Sequence, residues 1–243
     1  IGRPDRFWHA LVFWNPHSVL WEVTMCVVLY LGVLTLESAP ILGQTGWMQR
    51  RWPGLARRLS SVHHYAPVLA VIGLGLSMLH QSSLGATYGV LKARPIWFKP
   101  SMPIMFIVSA VAVGPAVTMA AALILEWITR KRTVPHDLLR TIARFSGLGL
   151  LVYTYVKLWD LAAVTYYGRT PGSTSAFSLL SQYTPYNFGF WIGEIGLGIV
   201  VPVLMFLVPR FSRNPANLVL GGLLAALGVV INRWNVTVSG LVV

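Results

Sequence analysis

Six long apolar stretches constrain this chain more than any other feature. They cover about 18–37, 63–84, 103–127, 141–163, 189–209 and 216–233. Each is near the roughly 20 residues that an α-helix needs to cross the hydrocarbon core of a bilayer. In that medium every backbone N–H and C=O must find a partner within the protein, which leaves helices or a closed barrel. Barrel strands alternate polar and apolar residues, and none of these stretches does. The sequence therefore predicts an all-α, polytopic transmembrane helix bundle of about six helices, organised as a single membrane domain over residues 1–243. Its composition agrees. Only 11% of residues are charged and 55% are hydrophobic, whereas about a quarter of a soluble domain is charged. Pro67, Pro115 and Pro202 fall inside spans, where neighbouring helices can satisfy the freed backbone groups.

A formal net charge of +12 in a soluble protein would point to nucleic acid. Here the basic residues lie mostly in short loops, which is a topology signal instead. One set of loops carries Arg50, Arg51, Arg57, Arg58, Arg130, Lys131, Arg132, Arg140, Arg210 and Arg213. The opposite set carries the smaller group Arg3, Arg6, Lys92, Arg94, Lys99, Arg169 and Arg233. The richer side is expected to be cytoplasmic. Both termini and the loops at 85–102 and 164–188 then lie outside. Trp97, Tyr166, Tyr167, Tyr183 and Tyr186 in or beside those loops suit an interfacial aromatic belt. The single Cys26 excludes a disulfide within the chain and cannot hold an iron–sulfur cluster.

Seven acidic residues are present, and Glu22, Glu37, Glu126, Asp160 and Glu194 fall within or at the ends of apolar spans. A carboxylate at bilayer depth costs a few kcal/mol or more, so it tends to face a partner, a bundle interior or a water-filled path. Lys157 and Asp160 are three residues apart on one helix and could neutralise each other. Glu22, Glu126 and Glu194 have no obvious local partner. At about 1.5 Å of rise per residue, Glu22, His80, Gln81, Asp160 and Glu194 all lie near the outer ends of their spans. Such a convergence of polar groups in an apolar bundle suits a small-molecule site. Glu37 and Glu126 lie near the inner ends. The two levels together, with Lys157, could mark a proton path.

His63, His64 and His80 raise the question of haem. Two haems with paired imidazoles need four histidines in two facing pairs. His64 and His80 lie at opposite ends of one span, and only His17 could approach His80 from the first. Neither an intrinsic haem nor a metal site is expected. A membrane histidine of this kind more often handles protons or donates hydrogen bonds. No phosphate-binding glycine loop, metal-ligand spacing or nucleophile elbow is present in the sequence.

Specific strings carry a family resemblance. Gly2-Arg3-Pro4-x-Arg6-Phe7-Trp8-His9 resembles a motif of the NrfD/polysulfide-reductase membrane-subunit family. The stretch from Phe13 through Asn15, His17 and Trp21 to Glu22 is similar to its HybB branch, the membrane subunit of certain nickel–iron hydrogenases. So are Leu36-Glu37 with Ala39-Pro40, His80-Gln81-Ser82-Ser83-Leu84-Gly85, and Lys92 with Pro95, Trp97 and Pro100. The resemblance runs from Gly2 to about Gly240, more loosely in the later helices. It implies a multi-helix subunit of a bacterial or archaeal cytoplasmic membrane with no redox cofactor of its own. Such a subunit binds menaquinone or ubiquinone near the outer face. It exchanges electrons with an iron–sulfur, ferredoxin-like subunit and a hydrogenase or multihaem cytochrome docked there. It also implies about three further helices ahead of the Gly-Arg-Pro motif. The family's membrane acids map onto Glu22 and Glu126, with Asp160 and Glu194 as weaker matches.

The expectation is therefore a quinone-reactive membrane subunit of a respiratory oxidoreductase complex, with quinone among the first, second and fourth spans. Glu22 and His80 are the candidates to bond or protonate quinone oxygens, and Asn15, His17 and Gln81 are supporting donors. Protons would reach the site from the inner side through Glu126 and Glu37, or else from the outer side. Two rivals share the same acids. One is a proton or ion transporter, although the internal repeats common in transporters are not evident. The other is a structural membrane anchor, which would not need unpaired membrane carboxylates.

Overall fold

The computed structural model describes residues 4–6, 8–92, 96–132, 134–167, 184–239 and 241. Arg3, Phe7, Arg94, Pro95, Arg169, Tyr183 and the Tyr167 side chain, used above for charge, motif or belt, lie outside them. The regular structure of the described residues is helical, with no strand. Six long rods dominate it: α1 (Val19–Gly43), α2 (Pro53–Gly89), α3 (Met102–Thr129), α4 (His136–Tyr167), α5 (Tyr186–Leu207) and α6 (Pro215–Ser239). All but α4 are long and apolar enough to cross a membrane. At 32 residues α4 is long enough. Arg144, Lys157 and Asp160 lower its hydropathy, and Lys157 and Asp160 are buried. The helices match the six apolar stretches and outrun several of them, because their ends continue into the interfacial layer.

The chain divides into two compact units, residues 1–87 and 88–243. In the first, α1 and α2 form an antiparallel pair. Ser83 meets Glu22, Gly73 meets Val33 and Glu37, and Gly43 meets the Ala56 backbone, so the contacts run in opposite directions along the two helices. A Cβ on Gly43 would sit 2.7 Å from the Ala56 carbonyl oxygen, too close for any other residue. Helix α2 tightens at Val62–Tyr65 and resumes at Ala66. Pro67 is thereby the second residue of the resumed helix, where a missing N–H costs nothing.

The second unit packs α3 to α6 around Ala112, Ala116, Met119, Leu123, Leu139, Ala143, Leu150 and Phe206. Lipid removes the hydrophobic driving force between helices, so close backbone approach has to supply the contact. Small residues permit it. A Cβ on Gly149 would lie 3.0 Å from Cα of Ala112, and one on Gly222 would lie 2.7 Å from the Ala116 carbonyl oxygen. Large side chains face outward instead, among them Trp127, Tyr155 and Trp159.

Within α5, Gly189–Val200 is wound as a π-helix. The glycine spacing accounts for this. Gly189, Gly193 and Gly198 are four and five residues apart, which an α-helix of 3.6 residues per turn would scatter. The wider i→i+5 winding brings them to one face against Asn235, Ile231 and Gly228 of α6. The π-winding stops at Val200, two residues before Pro202, which has no N–H to continue the ladder.

Candidate functional site

The second unit holds a cluster of buried charge at one end of its bundle. Lys157 of α4 forms an ion pair with Glu194 of α5, and the side chains are 11% and 2% exposed. The same Glu194 oxygen accepts from Asn232 Nδ2 at 2.8 Å and from the Tyr153 hydroxyl at 3.2 Å. Glu194 sits in the π-wound segment, a feature frequent at functional sites. One turn along α4 from Lys157, Asp160 accepts from Lys99 Nζ at 2.8 Å and from the Ser101 hydroxyl. Lys157 and Asp160 are thus not each other's partners, since each is drawn to a different neighbouring element.

Arg233 closes the cluster from α6. It donates to Asn232 Oδ1 at 3.0 Å and to Ser109 Oγ at 2.9 Å, and its guanidinium lies 3.3 Å from the Phe106 ring centroid. By holding the Asn232 carbonyl, it orients that amide's N–H₂ toward Glu194. Lys99 and Arg233, read from sequence as loop charges, therefore belong to the bundle.

The cluster counts three cations, Lys99, Lys157 and Arg233, against two carboxylates, Asp160 and Glu194. In an apolar surrounding the extra cation favours a further negative charge nearby. A cavity of about 50 Å³ adjoins these groups, with Met105, Tyr186, Phe190 and Asn235 also on its walls. It has room for water, which needs roughly 10–15 Å³ per molecule, but is small for an aromatic ring, which occupies an engineered cavity of about 150 Å³. The arrangement suits holding and relaying protons rather than enclosing a ring. Asn235 Nδ2 is buried without a partner among the described residues.

A second polar group lies in the first unit. Glu22 accepts from the Ser83 hydroxyl at 2.7 Å. His80, one turn before Ser83, shares that helix face, and its Nδ1 is buried with no hydrogen-bond partner among the described residues. Trp21 Nε1, next to Glu22, is likewise buried and unpartnered. Buried polar atoms are rarely left so. Gln81 is half-buried beside His80. Asn15 and His17 are exposed, and the Asn15 side-chain carbonyl accepts from the His17 backbone N–H at 3.3 Å. Glu37 is half-buried deeper in α1, near Gly73 of α2.

Glu126 stands apart at the far end of α3. It accepts from the Val134 N–H at 3.0 Å and lies 3.8 Å from His136. The 20 residues from Phe106 to Glu126 rise about 30 Å, which is the thickness of a bilayer core. Between the two ends lie Ala112, Ala116, Met119, Leu150 and Ala143. The fully buried Ser146, whose hydroxyl has no partner, is a polar exception among the described residues there.

Of the residues chosen from sequence, Lys157, Asp160 and Glu194 come together, and Glu22 meets Ser83, one helical turn from His80. Tyr153, Asn232, Arg233 and Asn235 were missed. The signal for the last three was the polar run Asn232-Arg233-Trp234-Asn235 closing an apolar helix.

Comparison with known proteins adds the family. The family model for polysulphide reductase, NrfD, matches residues 1–243. The integral membrane subunit of menaquinone reductase from Nitratidesulfovibrio vulgaris is 29% identical over 100% of this chain and 59% of its own length. A selenate reductase subunit of Mesobacillus selenatarsenatis is 24% identical over 100% of this chain and 60% of its own length. The probable Ni/Fe-hydrogenase 2 b-type cytochrome subunit of Escherichia coli is 24% identical over 96% of this chain and 57% of its own length. The chain spans about three fifths of the length of these relatives.

Proposed function

This chain belongs to the polysulphide reductase NrfD family and is a multi-pass protein of a prokaryotic cytoplasmic membrane, and from that premise we propose that it is the quinone-reactive membrane subunit of a respiratory oxidoreductase complex. Its relatives' names, a menaquinone reductase, a selenate reductase and a hydrogenase, support that class. The observation that carries the reading is the pairing of Glu22 with Ser83 one turn from His80, whose ring nitrogen has no partner. A quinone carbonyl is an acceptor, and its reduction takes up protons. A histidine donor and a carboxylate able to gain and lose a proton supply both needs.

In this reading menaquinone or ubiquinone is the substrate. His80 donates to one quinone oxygen, Glu22 exchanges the proton, and Gln81 is a supporting donor. Asn15 and His17 border the outer approach. Electrons come from an iron–sulfur subunit with a hydrogenase or multihaem cytochrome on the outer face, and the chain itself needs no haem. Lys157, Asp160 and Glu194 hold and relay protons. Transfer from Glu126 or Glu37 at the inner level has an apolar stretch to cross, with Ser146 as the polar step within it. Each charge moved across the membrane then involves about 2.3 kcal/mol per 100 mV.

The test is steady-state quinone reduction by the purified complex carrying Glu22→Gln. Turnover is expected to fall with partner binding intact. Normal turnover would remove Glu22 from the site.

A further inference from the structure

At the end of the bundle remote from the charge cluster, the ends of α3 and α6 bound an open groove of about 780 Å³, within the roughly 300–1,000 Å³ typical of ligand pockets. Its walls are of two kinds. Leu123 and Ile124 of α3 face Val219, Leu220 and Leu223 of α6, which gives an apolar trough running into the membrane layer. Above it lie three consecutive cations, Arg130, Lys131 and Arg132, also part of the lining. All three are exposed, and none has an acidic partner among the described residues.

The cations are held over the trough by the backbone. Arg130 has φ 54°, the left-handed region, and is the sole described non-glycine residue that does. Glycine is the ordinary choice there, so a basic side chain is retained at a position that disfavours one. Glu126, on the groove wall, accepts from the Val134 N–H and faces His136. It ties Val134 to the end of α3, and the groove stays net basic, with three cations against this one carboxylate.

We infer that this groove binds an anionic phospholipid of the cytoplasmic leaflet, with phosphate on Arg130, Lys131 and Arg132 and an acyl chain along Leu123, Val219, Leu220 and Leu223. Three cations select an anion over a neutral quinone. The apolar trough selects a lipid over free phosphate. The loop charges assign the basic side to the cytoplasm, where anionic lipid lies and basic pockets between helices take such headgroups. Trp127 at the rim, 82% exposed, has the amphipathic ring common at headgroup level.

The experiment is native mass spectrometry of the full-length protein in its complex, titrated with dioleoyl phosphatidylglycerol, dioleoyl phosphatidylethanolamine or inorganic phosphate. Phosphatidylglycerol is expected to bind in preference to the zwitterionic lipid, and phosphate is expected not to displace it. The triple variant R130Q/K131Q/R132Q is expected to bind it about a hundredfold more weakly, the effect of three cations beside an anionic lipid. A second variant, Leu220→Trp, fills the trough and leaves the cations in place; it is expected to weaken binding as well, so the test does not depend on one variant folding. Equal binding of the two lipids, displacement by phosphate, retained quinone in place of phospholipid, or unchanged affinity in either folded variant would overturn the assignment.

Discussion

Lys157 and Glu194 form an ion pair between α4 and α5, with both side chains almost withdrawn from the surface. The carboxylate next along α4, Asp160, is already engaged by Lys99, so Lys157 has Glu194 as its direct counter-ion. Breaking a buried pair leaves a charge uncompensated, at about 3–5 kcal/mol. Lys157→Met is therefore predicted to lower the thermal unfolding midpoint of the purified protein sharply. The double variant Lys157→Met with Glu194→Gln is predicted to recover much of that loss, because no lone charge remains. A double variant no more stable than Lys157→Met alone would deny the coupling.

Asp160 ties the segment before α3 to the end of α4 through Lys99 and Ser101. Asp160→Asn keeps the shape but leaves Lys99 without its counter-ion. The prediction is a loss of roughly 1–3 kcal/mol in stability, read by thermal unfolding. On the proposed proton-relay role of Asp160, quinone turnover in the same preparation is also expected to fall.

Gly222 touches the Ala116 carbonyl where α6 crosses α3, and an added Cβ would approach it to 2.7 Å. Gly222→Val is predicted to force the two helices apart, at about 1–3 kcal/mol, the usual range for overpacking. Gly75, around which nothing lies within 4 Å, serves as the control. Gly75→Ala is predicted to leave the unfolding midpoint unchanged or slightly raised.

These sites illustrate what the sequence made legible. Apolar length alone identified the helices, because a bilayer leaves few alternatives, and depth along each helix grouped Asp160 and Glu194 at one level, with Lys157 one turn away. Pairing was not legible. Lys157 and Asp160 read as partners at i,i+3, yet each is claimed by a group on another element, Glu194 or Lys99. Arg233 read as a loop charge because a charge at the end of an apolar run looks like a loop. Only the fold showed it held against Ser109 and Phe106. The π-winding of Gly189–Val200 left a trace in the four- and five-residue glycine spacing, but that trace is interpretable only once α6 is known to lie opposite.

Arg130 offers a separation of stability from binding. Its left-handed backbone costs an ordinary residue about 1–2 kcal/mol relative to glycine. Arg130→Gly is predicted to raise the unfolding midpoint in lipid-free detergent. A lower midpoint there would mean that the side chain itself supports the helix end.

We propose that quinone binds beside Glu22 and His80, and a density map at side-chain resolution of the purified complex, with partner subunits and lipids retained, tests this directly. Planar density with an isoprenoid tail is expected, its oxygen within hydrogen-bond reach of His80 and Glu22, below a redox centre of the partner on the outer face. Quinone density lodged elsewhere, with His80 Nδ1 and Glu22 closed off by protein groups, would contradict it.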